Sequence, residues 1–499
     1  MSNLADKLTS AAAAVPDRVV VKWDDLALTY AALDNASARL ATVLHDSGIS
    51  AGDRVGLMLP NTPAFPISFY AVMRIGAVAV PMNPLLKARE VEYYLNNTGA
   101  KLLLACSLFA EAAEGGSASA GAQCMFIDDA SLPNLLDDVA PAGAPTPRDG
   151  LDTAVILHTS GTTGKPKGAE LTHHGLGRNA DVAVRTLIQI EPDDVVMGCL
   201  PLFHAFGLTC GLLSTVEATA TLTLQPRFDA NGVLDIMARD RVTIFEGVPT
   251  MYSALLAAHT GDDRAASLRV CTSGGAALPV QVIRDFEKAF GAQILEGYGL
   301  SETSPIASFN HPDRPCKPGT IGTPVEGVEM RVVDIEGRPV AQGEVGEIQI
   351  RGHNIMKGYW NLPEATAEAI SPEGWFSSGD IGKVDEDGFF SIVDRKKELI
   401  IRGGLNIYPR ELEEVFYEHP AVAAAAVIGI PHESLGEEVG AAIELKPGAS
   451  ATADELRDHV KDRVAAYKYP RRVWILDELP KGPTGKLQKR DITVPEEHR

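Results

Sequence analysis

The chain has 499 residues, 45% hydrophobic and 22% charged, with 66 acidic against 45 basic side chains and a formal net charge of −21. That length implies at least two domains, and the composition is that of a water-soluble globular protein. The acidity excludes a general nucleic-acid binder, whose footprint is basic, and no apolar run approaches the ~18 residues of a membrane helix.

Elements alternate from the start. Thr29 can cap a helix in which Tyr30, Leu33, Leu40, Val43 and Leu44 recur at helical spacing, with Gly48 closing it. Arg54–Leu59 reads as a strand, Phe65–Ile75 as a helix, Ala77–Val80 as a strand, Ala88–Leu95 as a helix and Lys101–Ala105 as a strand. Ala110–Gln123, rich in Ala, Gly and Ser, and Val139–Arg148, rich in Pro and Ala, read as surface connections. The alternation resumes after Asp152 and continues to about residue 320. Strand and helix at this spacing predict an α/β fold with mainly parallel sheets. From about 326 to 393 short strands with turn signals (Glu336-Gly337, Gln342-Gly343, Asp387-Gly388) predict a β-rich subdomain. The remainder predicts a small α+β unit: strand Glu398–Arg402, helix Pro409–Tyr417, strands Val422–Gly429 and Gly440–Leu445, helix Ala453–Val464 and strand Val473–Leu476. The expected domains are 1–394 and 395–499. The second is nearly neutral, with 17 basic side chains against 18 acidic from Arg395 onward, so the acidity belongs to the first.

Six scattered cysteines with no CxxC pair fit reduced thiols. Asp6 and Lys7 precede only a short apolar run, Ala11–Val15, too short for a secretory leader. A cytoplasmic location without integral membrane association is expected.

The most informative stretch is Thr159-Ser160-Gly161-Thr162-Thr163-Gly164-Lys165-Pro166-Lys167-Gly168, which follows a strand-like run, Thr153–His158. Glycines and hydroxyl residues let successive N–H groups turn toward an anion, and lysines add compact positive charge. The spacing is not that of a Walker A loop, because the glycines are three apart and Lys165 precedes a proline. The loop resembles the signature of the adenylate-forming superfamily, which includes acyl-CoA synthetases, peptide-synthesising adenylation domains and luciferases. Pro201-Leu202-Phe203-His204, Ser273-Gly274-Gly275-Ala276-Ala277, Tyr298-Gly299-Leu300-Ser301-Glu302-Thr303, Ser378-Gly379-Asp380, Asp394-Arg395-Lys396-Lys397-Glu398 and Pro480-Lys481-Gly482-Pro483-Thr484-Gly485-Lys486 follow in the family's order, across essentially the whole chain.

The resemblance, to the acyl-CoA synthetase branch, implies an enzyme that activates a carboxylic acid as its acyl-adenylate with ATP and Mg²⁺ and transfers the acyl group to coenzyme A. A carboxylate is a poor acceptor for a thiol, since oxide would have to leave; attack on the α-phosphate of ATP gives an anhydride whose leaving group is AMP. Two anions must meet, so the site must supply cations and aligned donors. By resemblance, Thr159 to Lys165 (with Ser160, Gly161, Thr162, Thr163 and Gly164) hold phosphate, and Glu302 holds Mg²⁺. Gly275, Ala276, Tyr298, Gly299 and Ser301 take the nucleotide, Ser301 standing where the family usually has threonine. Asp380 takes the ribose, Arg395 the ribose or phosphate. Lys486 bridges carboxylate and α-phosphate and, with Lys165 and Glu302, forms the catalytic set.

His204, Phe206, Gly207 and Gly299 are expected at the acyl group. Lys397 is the expected hinge, and Gly403 and Gly404 are expected to face CoA after the small domain turns. Glycines suit a backbone lying close to a thin ligand. Peptide-synthesising relatives place an acid just after the Phe/His turn to hold an α-amino group, whereas Ala205–Leu212 contains none. The expected acid is therefore a medium- or long-chain fatty acid or another apolar acid, and the chain is expected to act as a monomer or homodimer. Loading an acyl-carrier protein in place of CoA remains an alternative reading.

Overall fold

Apolar strands alternate with amphipathic helices through the first three hundred residues, and the alternation produces two large sheets. The structure is a computed structural model that describes residues 3–159, 166–396, 398–403, 405–432, 434–482 and 486–498. Thr29 accepts a bond from the Ala32 N–H at 3.2 Å and caps the helix Tyr30–Asp46, whose Leu33, Leu40 and Leu44 are fully buried. Strands Thr153–Thr159, Val78–Pro81, Arg54–Met58, Leu102–Ala105 and Gln123–Phe126 run parallel in that spatial order, within a sheet of seven described strands. In a second sheet, of nine described strands, Thr221–Leu224, Val195–Gly198, Ile244–Gly247, Val270–Ser273 and Gln293–Gly299 are parallel neighbours. Helices Tyr30–Asp46 and Ala64–Arg74 contribute to one core with residues of both sheets, including Val55, Leu57, Val196 and Leu222. Strands covered on both faces read as continuous apolar runs, which is how Val155–Leu157 and Leu102–Leu104 appear.

A four-stranded antiparallel sheet (Val328–Val333, Gly346–Gly352, Phe376–Val384, Phe390–Arg395) forms the β-rich subdomain, with Asp387-Gly388 in the turn of its last hairpin. The chain after it builds its own sheet from Ile400–Arg402, Leu405–Ile407, Val422–His432, Gly436–Leu445 and Arg472–Leu476. Helices Pro409–Tyr417 and Ala453–Lys461 pack on it around Leu412, Phe416, Val439 and Leu456. The fold is mixed α/β, with a large N-terminal domain and a small C-terminal one. Among the described residues no helix is long and apolar enough to cross a membrane.

Two expectations need correction. Ala110–Gln123 is not a loose connection: Ala110–Ala120 is a helix, and Gln123 begins an edge strand. Its small residues are there for packing, since a Cβ at Gly116 would lie 2.6 Å from the Cβ of Val91 on the neighbouring helix Ala88–Thr98. The strand expected over Val422–Gly429 also runs further, through Pro431 to His432. It lies at the sheet's edge, where a residue without an N–H is tolerated.

Candidate active site

A cleft of about 2040 Å³ opens between the large sheets, the β-rich subdomain and the small domain. The hairpin of Thr153–Thr159 and Lys167–Thr172 pairs Thr159 with Lys167 at its mouth. The connecting Ser160, Gly161, Thr162, Thr163, Gly164 and Lys165 lie outside the described residues. Lys167 stands 5.1 Å from the ring centre of Tyr359, whose hydroxyl donates to Glu302 Oε1 at 3.0 Å. Glu302 sits on a single 3₁₀ turn, Ser301–Thr303, and is 8% exposed; its carbonyl accepts the Met356 N–H at 2.9 Å.

Tyr298 and Gly299 end the strand Gln293–Gly299. A Cβ at Gly299 would fall 1.6 Å from the carbonyl oxygen of Pro305, so no other residue fits this close approach. The Tyr298 hydroxyl donates to Asp380 Oδ2 at 2.6 Å, and Arg395 Nε lies 3.3 Å from Asp380 Oδ1. Antiparallel register brings the last two together, pairing Asp380 on Phe376–Val384 with Arg395 on Phe390–Arg395. Burial and then Asp380 hold the Tyr298 phenol well above its ordinary pKa. Burial opposes the Arg395 charge, but Asp380, Glu398, Tyr298 and Glu302 outweigh it and raise its pKa.

Lys486 enters the cleft from the small domain. It reaches Gly275, which has φ +82°; a Cβ there would lie 2.6 Å from Lys486 Cε and 3.0 Å from Nζ. A glycine in this backbone conformation leaves space for the lysine. Burial pushes the ammonium down to about 8, Arg395 adding to the effect and Asp380 opposing it. Ala276, next to Gly275, is exposed and outside the cleft lining.

His204, Phe206 and Gly207 line the same cleft, with Leu200, Cys210 and Val248 giving this part an apolar wall. Buried Asn61 fixes the turn that leads into them: its amide nitrogen donates to the Gly198 and Leu200 carbonyls and its oxygen accepts the Leu202 N–H. Burial, and secondarily Lys486, pushes His204 down to about 3, so it is a neutral imidazole at physiological pH. Gly403 sits apart from this cleft, on the turn after strand Ile400–Arg402, and donates its N–H to the Leu435 carbonyl at 2.8 Å. Gly404 and Lys397 lie outside the described residues.

The structure thus brings Thr159, Gly275, Tyr298, Gly299, Ser301, Glu302, Asp380, Arg395, His204, Phe206, Gly207 and Lys486 to one cleft. Sequence reasoning missed Tyr359, which holds Glu302 from a two-residue strand, Gly358–Tyr359, too short to leave a pattern. Among the described residues no cluster of three or more His, Cys, Asp or Glu side chains forms a metal cage. Magnesium needs none, because it binds one or two carboxylates together with substrate phosphates, and buried Glu302 at the cleft fits that role.

Comparison with known proteins follows the same division. The AMP-binding enzyme family matches residues 8–360, and the AMP-binding enzyme C-terminal domain matches residues 411–486. The chain is 36% identical to the long-chain-fatty-acid–CoA ligase of Bacillus subtilis (strain 168), over 98% of this chain and 94% of that one. It is 38% identical to the feruloyl-CoA synthase of an Amycolatopsis species, over 96% of each. The crystal structure of ATP-bound MatB from Rhodopseudomonas palustris superposes with a TM-score of 0.92 at 32% identity, covering 98% of both chains.

Proposed function

The chain belongs to the AMP-binding enzyme family and is an ATP-dependent, AMP-forming acid–CoA ligase, and from that premise we propose how its residues divide the work and what kind of acid it takes. The observation that carries the reading is the placement of Lys486 in the cleft against Gly275, near enough to Arg395, Asp380 and His204 to alter ionisation. Its ammonium bridges the substrate carboxylate and the α-phosphate and cancels their repulsion as the acyl-adenylate forms. Tyr298 offers adenine a flat face, Asp380 accepts from the ribose hydroxyls, and Arg395 reaches ribose or phosphate. Glu302 would hold Mg²⁺, oriented by the Tyr359 hydroxyl; the ion neutralises phosphate charge. Thr159 and the loop after it cradle the phosphates.

The acyl group lies along Leu200, Phe206, Gly207 and Cys210, with neutral His204 at its entrance. This lining has no charge to meet an α-amino group, which supports a largely apolar acid, of fatty or aryl type. The second step needs the thiol of CoA to reach the same carbonyl. The chain beyond the strand Phe390–Arg395 is the mobile part: it turns about Lys397, withdraws Lys486 and presents Gly403 and Gly404 to the pantetheine arm. Six free cysteines, two of them only part-buried, suit a reducing, cytoplasmic setting.

The test is to incubate the protein with ATP, Mg²⁺ and a panel of acids, with and without CoA, and to follow pyrophosphate, AMP and thioester. Acid-dependent pyrophosphate release without CoA and thioester with it are expected. Absence of acid-dependent AMP formation across the panel refutes the reading, and acyl transfer to carrier protein but not to CoA replaces the acceptor.

A further inference from the structure

Beneath the apolar wall of the cleft lies a carboxyl group that the proposed reaction does not use. Glu246 sits on the strand Ile244–Gly247 and is 1% exposed. It is an acid within the apolar run Val242–Val248, and burying one without a partner is costly. Its Oε1 has no hydrogen-bond partner among the described residues. Burial alone pushes the group up to about 8, with no neighbouring cation offsetting it. At neutral pH it is therefore a protonated carboxyl, able both to donate and to accept.

Its neighbours line the cleft, although Glu246 itself stands behind that lining. The parallel register pairs Glu246 with Thr272, and register partners in a ladder project to the same face. Thr272 lines the cleft, and its own Oγ1 is buried without a partner. On the other side runs the π-helical segment Gly207–Leu213, which follows the His204 turn. Cys210 of that segment lines the cleft too; burial first and then Glu246 hold its thiol well above the ordinary value. At Gly211 there is room: a Cβ would meet only Glu246 Oε2 at 3.7 Å and Leu202 Cδ2 at 3.9 Å, both ordinary contacts.

We propose that Glu246, with Thr272 beside it, is a specificity determinant that hydrogen-bonds a hydroxyl at the end of the acid remote from the carboxylate. The proposal rests on the acyl-site reading above and narrows it, from an apolar acid to an apolar acid carrying one hydrogen-bonding group at its far end. A plain hydrocarbon tail filling this space leaves the carboxyl and the threonine hydroxyl unsatisfied, whereas a hydroxyl accepts from one and donates to the other. Sites built to bond a substrate hydroxyl reject the analogue without it far more strongly than apolar pockets separate methylenes. The shared chemistry is a terminal hydroxyl, and it has two sources, an aryl acid hydroxylated on its ring or an omega-hydroxy aliphatic acid.

The experiment measures kcat/KM for thioester formation with two matched pairs: para-hydroxyphenylpropanoic against phenylpropanoic acid, and omega-hydroxyoctanoic against octanoic acid. The wild type should favour the hydroxylated member of at least one pair by about 10²-fold or more, and that pair identifies the source. Glu246→Leu should abolish or invert the ratio, Glu246→Gln should keep part of it, and Thr272→Val should lower it, which preserves the test should the leucine variant not fold. A carboxyl that is only structural changes both members of a pair together and leaves the ratio unmoved. Ratios near one in the wild type, or ratios insensitive to all three variants, overturn the assignment while leaving the ligase reading intact. No AMP from any of the four acids or the wider panel overturns both.

Discussion

Replacing Lys486 by alanine separates the two halves of the reaction. Burial, the main cause, pushes its ammonium down from 10.5 to about 8. At about 1.4 kcal/mol for each tenfold change in a proton equilibrium, the charge is held roughly 3 kcal/mol short of its stability in water. On the proposed reading, the carboxylate and the α-phosphate return that energy when they bind on either side of it. Losing this compensation slows adenylate formation by about 10²-fold, the scale seen when one preorganised donor is removed. The assay is pyrophosphate release in a single turnover without CoA, set beside thioester formation from pre-made acyl-adenylate and CoA. Lys486→Ala should cripple the first and largely spare the second if, as proposed, the small domain presents Lys486 in one half-reaction and Gly403-Gly404 in the other. The pH profile provides a second reading. Only the protonated lysine bridges anions, so kcat/KM for adenylation should be flat below pH about 8 and fall above it. Lys486→Arg should remove that limb. Equal losses in both steps refute the division of labour, and loss of the CoA step alone assigns the lysine to the other half.

Three other outcomes are expected. Glu302→Ala should depress pyrophosphate exchange with every acid tested and weaken its dependence on Mg²⁺ concentration, since metal and phosphate contacts are common to all of them. Glu246→Gln should stabilise the fold most at high pH. The folded-state value near 8 exceeds the ordinary 4.5, so the folded chain binds the extra proton, wild-type stability falls as pH rises from about 4.5, and the loss is complete above 8; a thermal-shift gain that does not grow across that window contradicts the burial. Lys489→Ala should destabilise the small domain by roughly 1–3 kcal/mol, read by chemical denaturation, because Lys489 lies 2.8 Å from Glu413 and 3.2 Å from Glu398. A midpoint unchanged from wild type shows that those carboxylates find other partners.

Most residues of the cleft were legible because each belongs to a run whose order constrains it. Lys486, one lysine in a Gly/Pro/Thr loop, gains meaning from the motif around it. Its approach to Gly275 is a tertiary fact that no local pattern encodes. Tyr359 was invisible for the opposite reason, since a two-residue strand has no periodicity. Glu246 did leave a signal that went unread: a carboxylate inside Val-Thr-Ile-Phe-Glu-Gly-Val costs too much to be there by chance of composition. The helix Ala110–Ala120 was misread because glycine and serine lower helix propensity, while the close packing of Gly116 on Val91 is a tertiary contact that no local pattern reports. The phosphate loop is the clearest motif in the chain, yet its central residues lie outside those the structure describes.

The chain of contacts from Tyr298 through Asp380 to Arg395 has a consequence for how tightly nucleotide is held. Asp380 accepts from the phenol at 2.6 Å and faces the guanidinium at 3.3 Å. On the proposed reading, a ribose binding at that carboxylate competes with these protein partners, so its net gain is a small difference between similar terms. The ribose contact should therefore add only modestly to nucleotide affinity. An enzyme that must discharge AMP at every turnover would be served by this arrangement: under the proposed reading Tyr298 and Arg395 replace what the ribose gives up on leaving, and product release should meet a lower barrier than the ribose bonds alone would set.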